Sequence, residues 1–314
     1  MNDILHIIFN INTFVAAIRI SIPIVLAAMG GAFSERAGII NIGLEGMILF
    51  GAFAGVLGSF LSGSAWVGVL LAIAFGGFLG YVLAIFSIKF KADHIVVGIA
   101  LNIFSLGATT WLMQIIWGSR GCSPNVNGLS EVSVPFIKGV PIVGRLLGTH
   151  SPIVYLMFIL VLAGWILLFK TPLGLRIRVI GEHPEAADTL GIKIKRIQYF
   201  CVILSGILAG LGGAYLSLGH LSSFSMNMSA GRGYMALAAN IFGQWNPFGC
   251  LLAGYLFAYT DAVQMRLQGL NIGVANELIQ MLPYVLTIFV LTVAVIRSRP
   301  PASLGKHYEG RATS

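Results

Sequence analysis

Charge is what this sequence has least of. Asp, Glu, Lys and Arg make up 10% of its 314 residues, against about 25% in an ordinary soluble domain. Three cysteines, Cys122, Cys201 and Cys250, match no metal-ligand spacing, and only Cys122 falls in an expected exterior loop, so no internal disulfide is expected. The signatures of enzyme chemistry are missing as well. There is no Gly-x-x-x-x-Gly-Lys-Ser/Thr phosphate loop, Leu304-Gly305-Lys306-His307 being only a fragment of one, and no His-Glu-x-x-His or Gly-x-Ser-x-Gly. No catalytic residue, metal or cofactor is therefore expected, and the chain by itself should not hydrolyse ATP. The N-terminus lacks the basic region of a secretory signal, so the first apolar segment reads as a retained span.

Apolar residues are abundant, 57% of the chain, and the mean hydropathy is +0.90. Both place it among polytopic membrane proteins. The net charge of +8 raises nucleic acid as a partner, but the basic residues sit in short segments between apolar runs. Membrane lipid and membrane orientation explain them, and no nucleic acid is expected. Apolar segments that meet or approach the roughly 20 residues of a span are 11–32, 40–60, 66–88, 95–117, 152–169, 199–219, 233–244, 248–266 and 276–296. The seventh is too short to cross, which suggests a broken or half-depth helix. With the N-terminus and the 118–150 loop outside, 13 of the 19 Lys and Arg fall inside, against Arg120, Lys138 and Arg145 in exterior segments and Arg232 at the exterior edge of the seventh, as the positive-inside rule requires. The expected fold is an all-α, polytopic transmembrane helix bundle of about nine spans (eight to ten) in the cell membrane, with a cytoplasmic C-terminus.

An internal similarity subdivides this single domain. Glu45-Gly46-Met47-Ile48-Leu49 and Arg232-Gly233-Tyr234-Met235-Ala236 each place a charge and a glycine before a helix of small residues. The chain then divides into a first repeat at 11–117, a linker span at 152–169, a loop at 171–198, a second repeat at 199–296 in inverted orientation, and a tail at 297–314. Inverted repeats place a solute path at their interface, near interrupted helices. The polar segment Ser34 to Gly46 fits that role, since charges and loosened backbone are tolerated at membrane depth only where protein or a water-filled cavity surrounds them.

The loop from Thr171 to Gln198 holds Gly181-Glu182-His183-Pro184-Glu185-Ala186-Ala187-Asp188-Thr189-Leu190-Gly191-Ile192. Pro184 suits a first helical position and Glu185 and Asp188 favour the helix N-terminus. Gly191 supplies a left-handed stop. A helix of about seven residues is marginal alone and must lean on something. Ala186, Ala187 and Leu190 are its expected apolar face, free to dock on a partner.

Gly-Glu-x-Pro-x-Ala-Ala followed by Gly-Ile resembles the coupling segment of permease subunits of ATP-binding-cassette (ABC) importers of the ribose, branched-chain amino acid and nucleoside group. Ser34-Glu35-Arg36-x-Gly38-x-x-Asn41-Ile42-Gly43-x-Glu45-Gly46-Met47 is similar to the nucleoside-type permeases within it. The resemblance covers residues 11 to 297. It implies separate ATPase subunits gripping the segment Gly181, Glu182, His183, Pro184, Glu185, Ala186, Ala187 and Gly191, a second permease subunit (a homo- or heterodimer), and an extracytoplasmic solute-binding protein. Where the family usually carries Asn before the coupling proline this chain has His183, a weaker N-cap acceptor.

Asn41, Glu45, Arg232 and Asn240 are the candidate residues of the translocation pathway, because they lie near the repeat-related breaks. Asn102, Gln114 and Gln244 read first as amides that bind helices together. Arg19, in mid-span, calls for a partner or a path to the interface. Asp261 and Glu277 flank the last exterior turn and read equally as contacts for a binding protein or as wet helix ends. Gly76-x-x-x-Gly80 and Gly206-x-x-x-Gly210 read as packing surfaces. Simple sugars or branched-chain amino acids are the alternative solutes. An ion-coupled secondary transporter is the competing class, and a membrane receptor or scaffold a third.

Overall fold

The computed structural model describes residues 10–133, 148–269 and 299–308, with isolated positions between 278 and 292. Ten α-helices stand in the described residues: α1 (Ile11–Arg36), α2 (Leu44–Ser62), α3 (Ala65–Ala84), α4 (His94–Trp117), α5 (Pro152–Lys170), α6 (Pro172–Glu182), α7 (Pro184–Thr189), α8 (Ile194–Ala214), α9 (Arg232–Phe242) and α10 (Pro247–Gln268). A π-helical turn continues α3 over Ile85–Lys89 and another continues α8 over Tyr215–Leu221. Among the described residues the departures from an all-helical plan are a two-residue antiparallel pairing of β1 (Val132–Ser133) with β2 (Thr149–His150) and an isolated antiparallel bridge between Cys122 and Ser225.

Six of these helices are long and apolar enough to cross a membrane: α1, α2, α3 with its π turn, α4, α5, and α8 with its π turn. The short seventh segment is an 11-residue helix, α9, about 16 Å long and half the roughly 30 Å of a hydrocarbon core. The ninth expected span, 276–296, lies largely outside the described residues. Two expected boundaries move. α1 runs on through Ser34, Glu35 and Arg36, and α8 starts at Ile194, so the end of the 171–198 loop is already helical. The front of that loop is helical too, as α6, with Thr171 accepting from the Gly174 N–H at 3.2 Å. Side-chain caps fix other starts. Asn10 accepts from Asn12 N at α1, Asn246 from Phe248 N at α10, and Asp93 from Ile95 and Val96 N at α4. The N–H groups of Val96 and Ile95 hold the Asp93 carboxyl below its ordinary range.

The core is built on α1, α2 and α8, while α4 and α5 present apolar side chains such as Ile103, Phe104, Ile115 and Ile159 outward, as lipid-facing helices do. In lipid, burying apolar surface gives no advantage to helix association, so close backbone approach must supply it. The two Gly-x-x-x-Gly runs supply it to each other. A Cβ on Gly76 would lie 2.3 Å from the Gly206 carbonyl oxygen, and one on Gly206 would lie 2.2 Å from that of Gly76. On the other side of α8, a Cβ on Gly213 would come within 2.1 Å of the Ile48 carbonyl oxygen in α2. α8 is thus clasped between α2 and α3.

Substituting Gly206→Val forces these backbones apart, whereas Gly107, with nothing within 4 Å of a built Cβ, tolerates the same change. Overpacking of this kind costs about 1–3 kcal/mol or more. Thermal denaturation of the detergent-purified chain should show a clear fall in midpoint for Gly206→Val and none for Gly107→Val.

Candidate functional site

One end of the bundle carries Lys89, Lys91, Lys193, Lys195, Arg196 and Lys306, at the ends of α3 and α8 and in the tail. At this basic end stands the charged loop. Pro184 is the first residue of α7 and Glu185 lies in its first turn. Gly191 takes φ +71°, and the bonds Gly191 N to Asp188 O (2.9 Å) and Ile192 N to Ala187 O (3.1 Å) close the helix in a Schellman motif. α7 ends at Thr189, one residue short of the expected Leu190. His183 makes no side-chain cap. Its backbone does the work, the N–H donating to Val179 O at 2.7 Å and the carbonyl accepting from Ala187 N at 3.2 Å.

The expected apolar docking face divides in two. Ala187 is fully buried against Ile180 and Ile194, whereas Glu185, Ala186 and Leu190 are exposed, Leu190 by 76%. Ala187 therefore seats α7 on its own bundle, and its exposed neighbours are what remains for a partner. The tail, which the sequence marked only as basic, completes the seat. Ser303 N and Oγ donate to Gly181 O at 2.9 and 2.6 Å, Ala302 N donates to a Glu182 carboxylate oxygen at 3.4 Å, and Tyr308 Oη donates to Asp188 at 2.9 Å. Between α7 and the tail lies an open groove of about 630 Å³.

Gly181 joins this loop to the core. A Cβ there would lie 2.2 Å from the Arg36 carbonyl oxygen, so only glycine lets α6 end against the end of α1. Arg36 donates to Trp245 O and Gln244 O at 3.1 Å each, and its guanidinium and that of Arg178 both lie over the Phe169 ring. Glu35 accepts from Asn240 Nδ2 at 3.0 Å and from Trp245 Nε1. Gln244 and Trp245 have φ +52° and +53°, a left-handed conformation that non-glycine residues adopt only when their surroundings impose it. The last turn of α1 imposes the corner between α9 and α10. Glu35 belongs to the polar segment singled out from sequence, but its partner Trp245 was not, and nothing in the sequence pairs two residues so far apart.

Asn240 is thus fully buried in that clamp. Asn41 is fully buried as well, donating to Ser205 Oγ at 2.8 Å. Glu45, the second residue of α2, accepts from Ser229 Oγ (2.6 Å), Gly231 N (2.8 Å) and Gly233 N (2.6 Å). It closes the N-terminus of α9, where backbone N–H groups and helix dipole both favour an anion. The starts of α2 and α9 abut, a Cβ on Gly233 falling 2.4 Å from Glu45 N. Asn102 ties the same joint, accepting from Gly46 N (2.8 Å) and donating to Ile42 O (3.0 Å) and Tyr234 Oη (3.2 Å).

Of the four pathway candidates, Arg232 alone lines a described cavity. A space of about 380 Å³ opens between α1, the π turn of α8, α9 and α10, walled by Asn12, Arg19, Tyr215, His220 and Arg232 among others. Arg19, the mid-span charge, pairs with Glu131 at 3.1 Å. A second space of about 220 Å³ shares Arg232 and Met265 and adds Asp261. Asp261 is buried and attracts Arg232, so it is not the wet helix end expected from the sequence.

Apolar helices packed through glycines, an 11-residue helix closed by a buried carboxylate and a short exposed helix at the basic end make up a membrane-spanning bundle. Residues 13–291 match the model of the family described as branched-chain amino acid transport system / permease component, and the chain belongs to that family. It is 37% identical to the guanosine ABC transporter permease protein NupQ of Bacillus subtilis, over 91% of this chain and 92% of that protein. It is 34% identical to the nucleoside ABC transporter permease protein NupC of Lactococcus lactis, over 92% and 93%. It is also 34% identical, over 90% and 91%, to TsgC13 of Haloferax volcanii, named as a candidate glucose ABC transporter permease. The chain is the permease component of an ABC importer, with ATP hydrolysis carried by partner subunits.

Glu45 uses both carboxylate oxygens against N–H and O–H donors, and an amide can match only one of them. Glu45→Gln therefore sets an NH₂ against a backbone N–H and leaves a buried donor unpaired, at about 1–3 kcal/mol. Uptake by whole cells should fall at least roughly tenfold at unchanged membrane levels, while Glu45→Asp recovers part of it.

Proposed function

We propose that this permease imports nucleosides, with the basic end in the cytoplasm and α7 as the lever through which separate ATPase subunits drive it. The observation that carries this reading is the seating of α7. Its buried Ala187 fixes it to the bundle while Glu185, Ala186 and Leu190 remain available to a partner. Gly181, Glu182, His183, Pro184 and Gly191 shape and anchor the lever. Pressure on it reaches Arg36 through the Gly181 contact and from there the corner at Gln244 and Trp245. ATP-driven closure of the ATPases would rock α9 and α10 against α2, alternating access to the path between the inverted halves, 11–117 and 199–296. Arg232 faces the solute in the cavity it shares with Arg19, Tyr215 and His220. Asn41, Glu45 and Asn240 belong to the path's moving walls. A second permease subunit completes the path, and a solute-binding protein delivers to the end opposite the basic one.

Nucleosides are favoured by the similarity to the guanosine permease NupQ and the nucleoside permease NupC. Sugars are the second reading, because TsgC13 is as similar as NupC. Reconstituted with its partners, the importer should show ATPase stimulated by nucleosides and not by glucose or leucine, and stimulation by glucose alone would install the second reading. Glu185→Lys and Leu190→Asp should each lower solute-stimulated ATPase at least roughly tenfold, the scale of losing a buried interface contact, with the permease still in the membrane. Unchanged stimulation in both variants would remove α7 from the drive.

A further inference from the structure

We propose that the basic end also holds a phosphate-binding site, separate from the solute path, where the π turn of α3, the first turn of α8 and the tail meet. Its floor is Ser87, which is fully buried and whose hydroxyl has no hydrogen-bond partner among the described residues. A buried hydroxyl without a partner is unfavourable, and its presence points to something that completes it. Ser87 lines a small cavity with Lys91, Lys195, Gln198, Lys306 and His307 on its walls. Among the described residues no Asp or Glu lines it. Asp93 accepts from the first N–H groups of α4 and Asp188 from Tyr308, while Glu182 and Glu185 line the neighbouring groove between α7 and the tail.

Two more features set the sign of the ligand. α8 begins here, and its N-cap residue Lys193 offers no side-chain acceptor, so the positive end of a 21-residue helix faces the site without a side-chain cap. His307 is held in place by its edge-to-face contact with the buried His94 ring, 4.8 Å between centroids. The whole cavity measures about 20 Å³, space for a single oxygen atom or water. A tetrahedral phosphate suits that shape. One oxygen enters to accept from Ser87 Oγ, and the others stay at the mouth, where the ammonium groups of Lys91, Lys195 and Lys306 donate to them. A carboxylate would have one oxygen left for three cations. The phosphate can come from the headgroup of an anionic phospholipid, since this end of α3 and α8 lies at the membrane surface, or from free phosphate in solution. Filling the site ties the tail, and with it the seat of α7, to α3 and α8.

The test uses the full-length chain and has two arms. In the first, purified protein is titrated with inorganic phosphate and its thermal midpoint followed. In the second, it is reconstituted in phosphatidylcholine vesicles with or without phosphatidylglycerol, and co-purifying lipid is read by native mass spectrometry. A phosphate-dependent shift identifies free phosphate, and retained phosphatidylglycerol identifies a headgroup. In either case the double variant Lys195→Gln/Lys306→Gln should weaken binding roughly fivefold per lysine, and Ser87→Ala should weaken it roughly tenfold. Ser87→Ala removes one oxygen from a packed helix and keeps the fold, so its loss of binding is readable. No binding in either arm, or binding that these variants leave unchanged, means that a lone water fills the floor and overturns the site. Neither result bears on which solute is carried.

Discussion

The last turn of α1 holds the structure together at the point where α6, α9 and α10 converge on it. Glu35 and Arg36 are adjacent in sequence and work in opposite senses. The carboxylate gathers the side-chain donors of Asn240 and Trp245, and the guanidinium gathers the carbonyls of Gln244 and Trp245. A corner of two left-handed, non-glycine residues would not persist in hydrocarbon with its carbonyls bare. Placed on that clamp, it turns the 11-residue α9 into the 22-residue α10. The same turn of α1 presents its carbonyl oxygen to Gly181, at a distance no side chain could share. Whatever pushes α6 therefore pushes Arg36.

Around this joint the helices are arranged by what lipid does not provide. With no hydrophobic drive between helices, α8 is gripped through glycines that admit backbone against backbone, and the polar groups are spent on helix ends. Glu45 closes α9, Asn102 closes the start of α2, and Asn41 reaches Ser205 across the core. Apolar side chains then cover the outside, on α4 and α5. The polar side chains that do not hold helix ends, Arg232, Tyr215 and His220 with the Arg19–Glu131 pair, collect in the open cavity at the other end. Rigid joints on one side and a wet cavity on the other are what a rocking transporter requires.

The sequence displayed its spans openly, because a long apolar run has few other uses. Pro184 and Gly191 likewise announced α7, since each residue type suits one backbone position at a helix end. What stayed hidden depends on partners remote in sequence. Glu35 reads as a charge that protein or a cavity must surround, and which protein group does so, Trp245 at 210 positions away, is seen only in the fold. Ala186 and Ala187 are indistinguishable in sequence, and only Ile180 and Ile194 decide which one is buried. The tail docks through Ser303 and through the Gly305 N–H on the Gly38 carbonyl, and backbone groups leave no trace in composition. Asp261 looked like a wet end because Arg232, on another helix, was not yet beside it.

If the clamp transmits force, removing one side of it should separate the two halves of the cycle while leaving the protein assembled. The direct measurement is the ratio of solute molecules imported to ATP hydrolysed by the reconstituted importer carrying Arg36→Met, which keeps the length of the side chain and loses its donors. Transmission through Arg36 requires hydrolysis to continue while that ratio falls at least roughly tenfold, the loss of a charge-assisted pair of hydrogen bonds. A ratio equal to that of the unaltered importer would show that the lever reaches the path by another route.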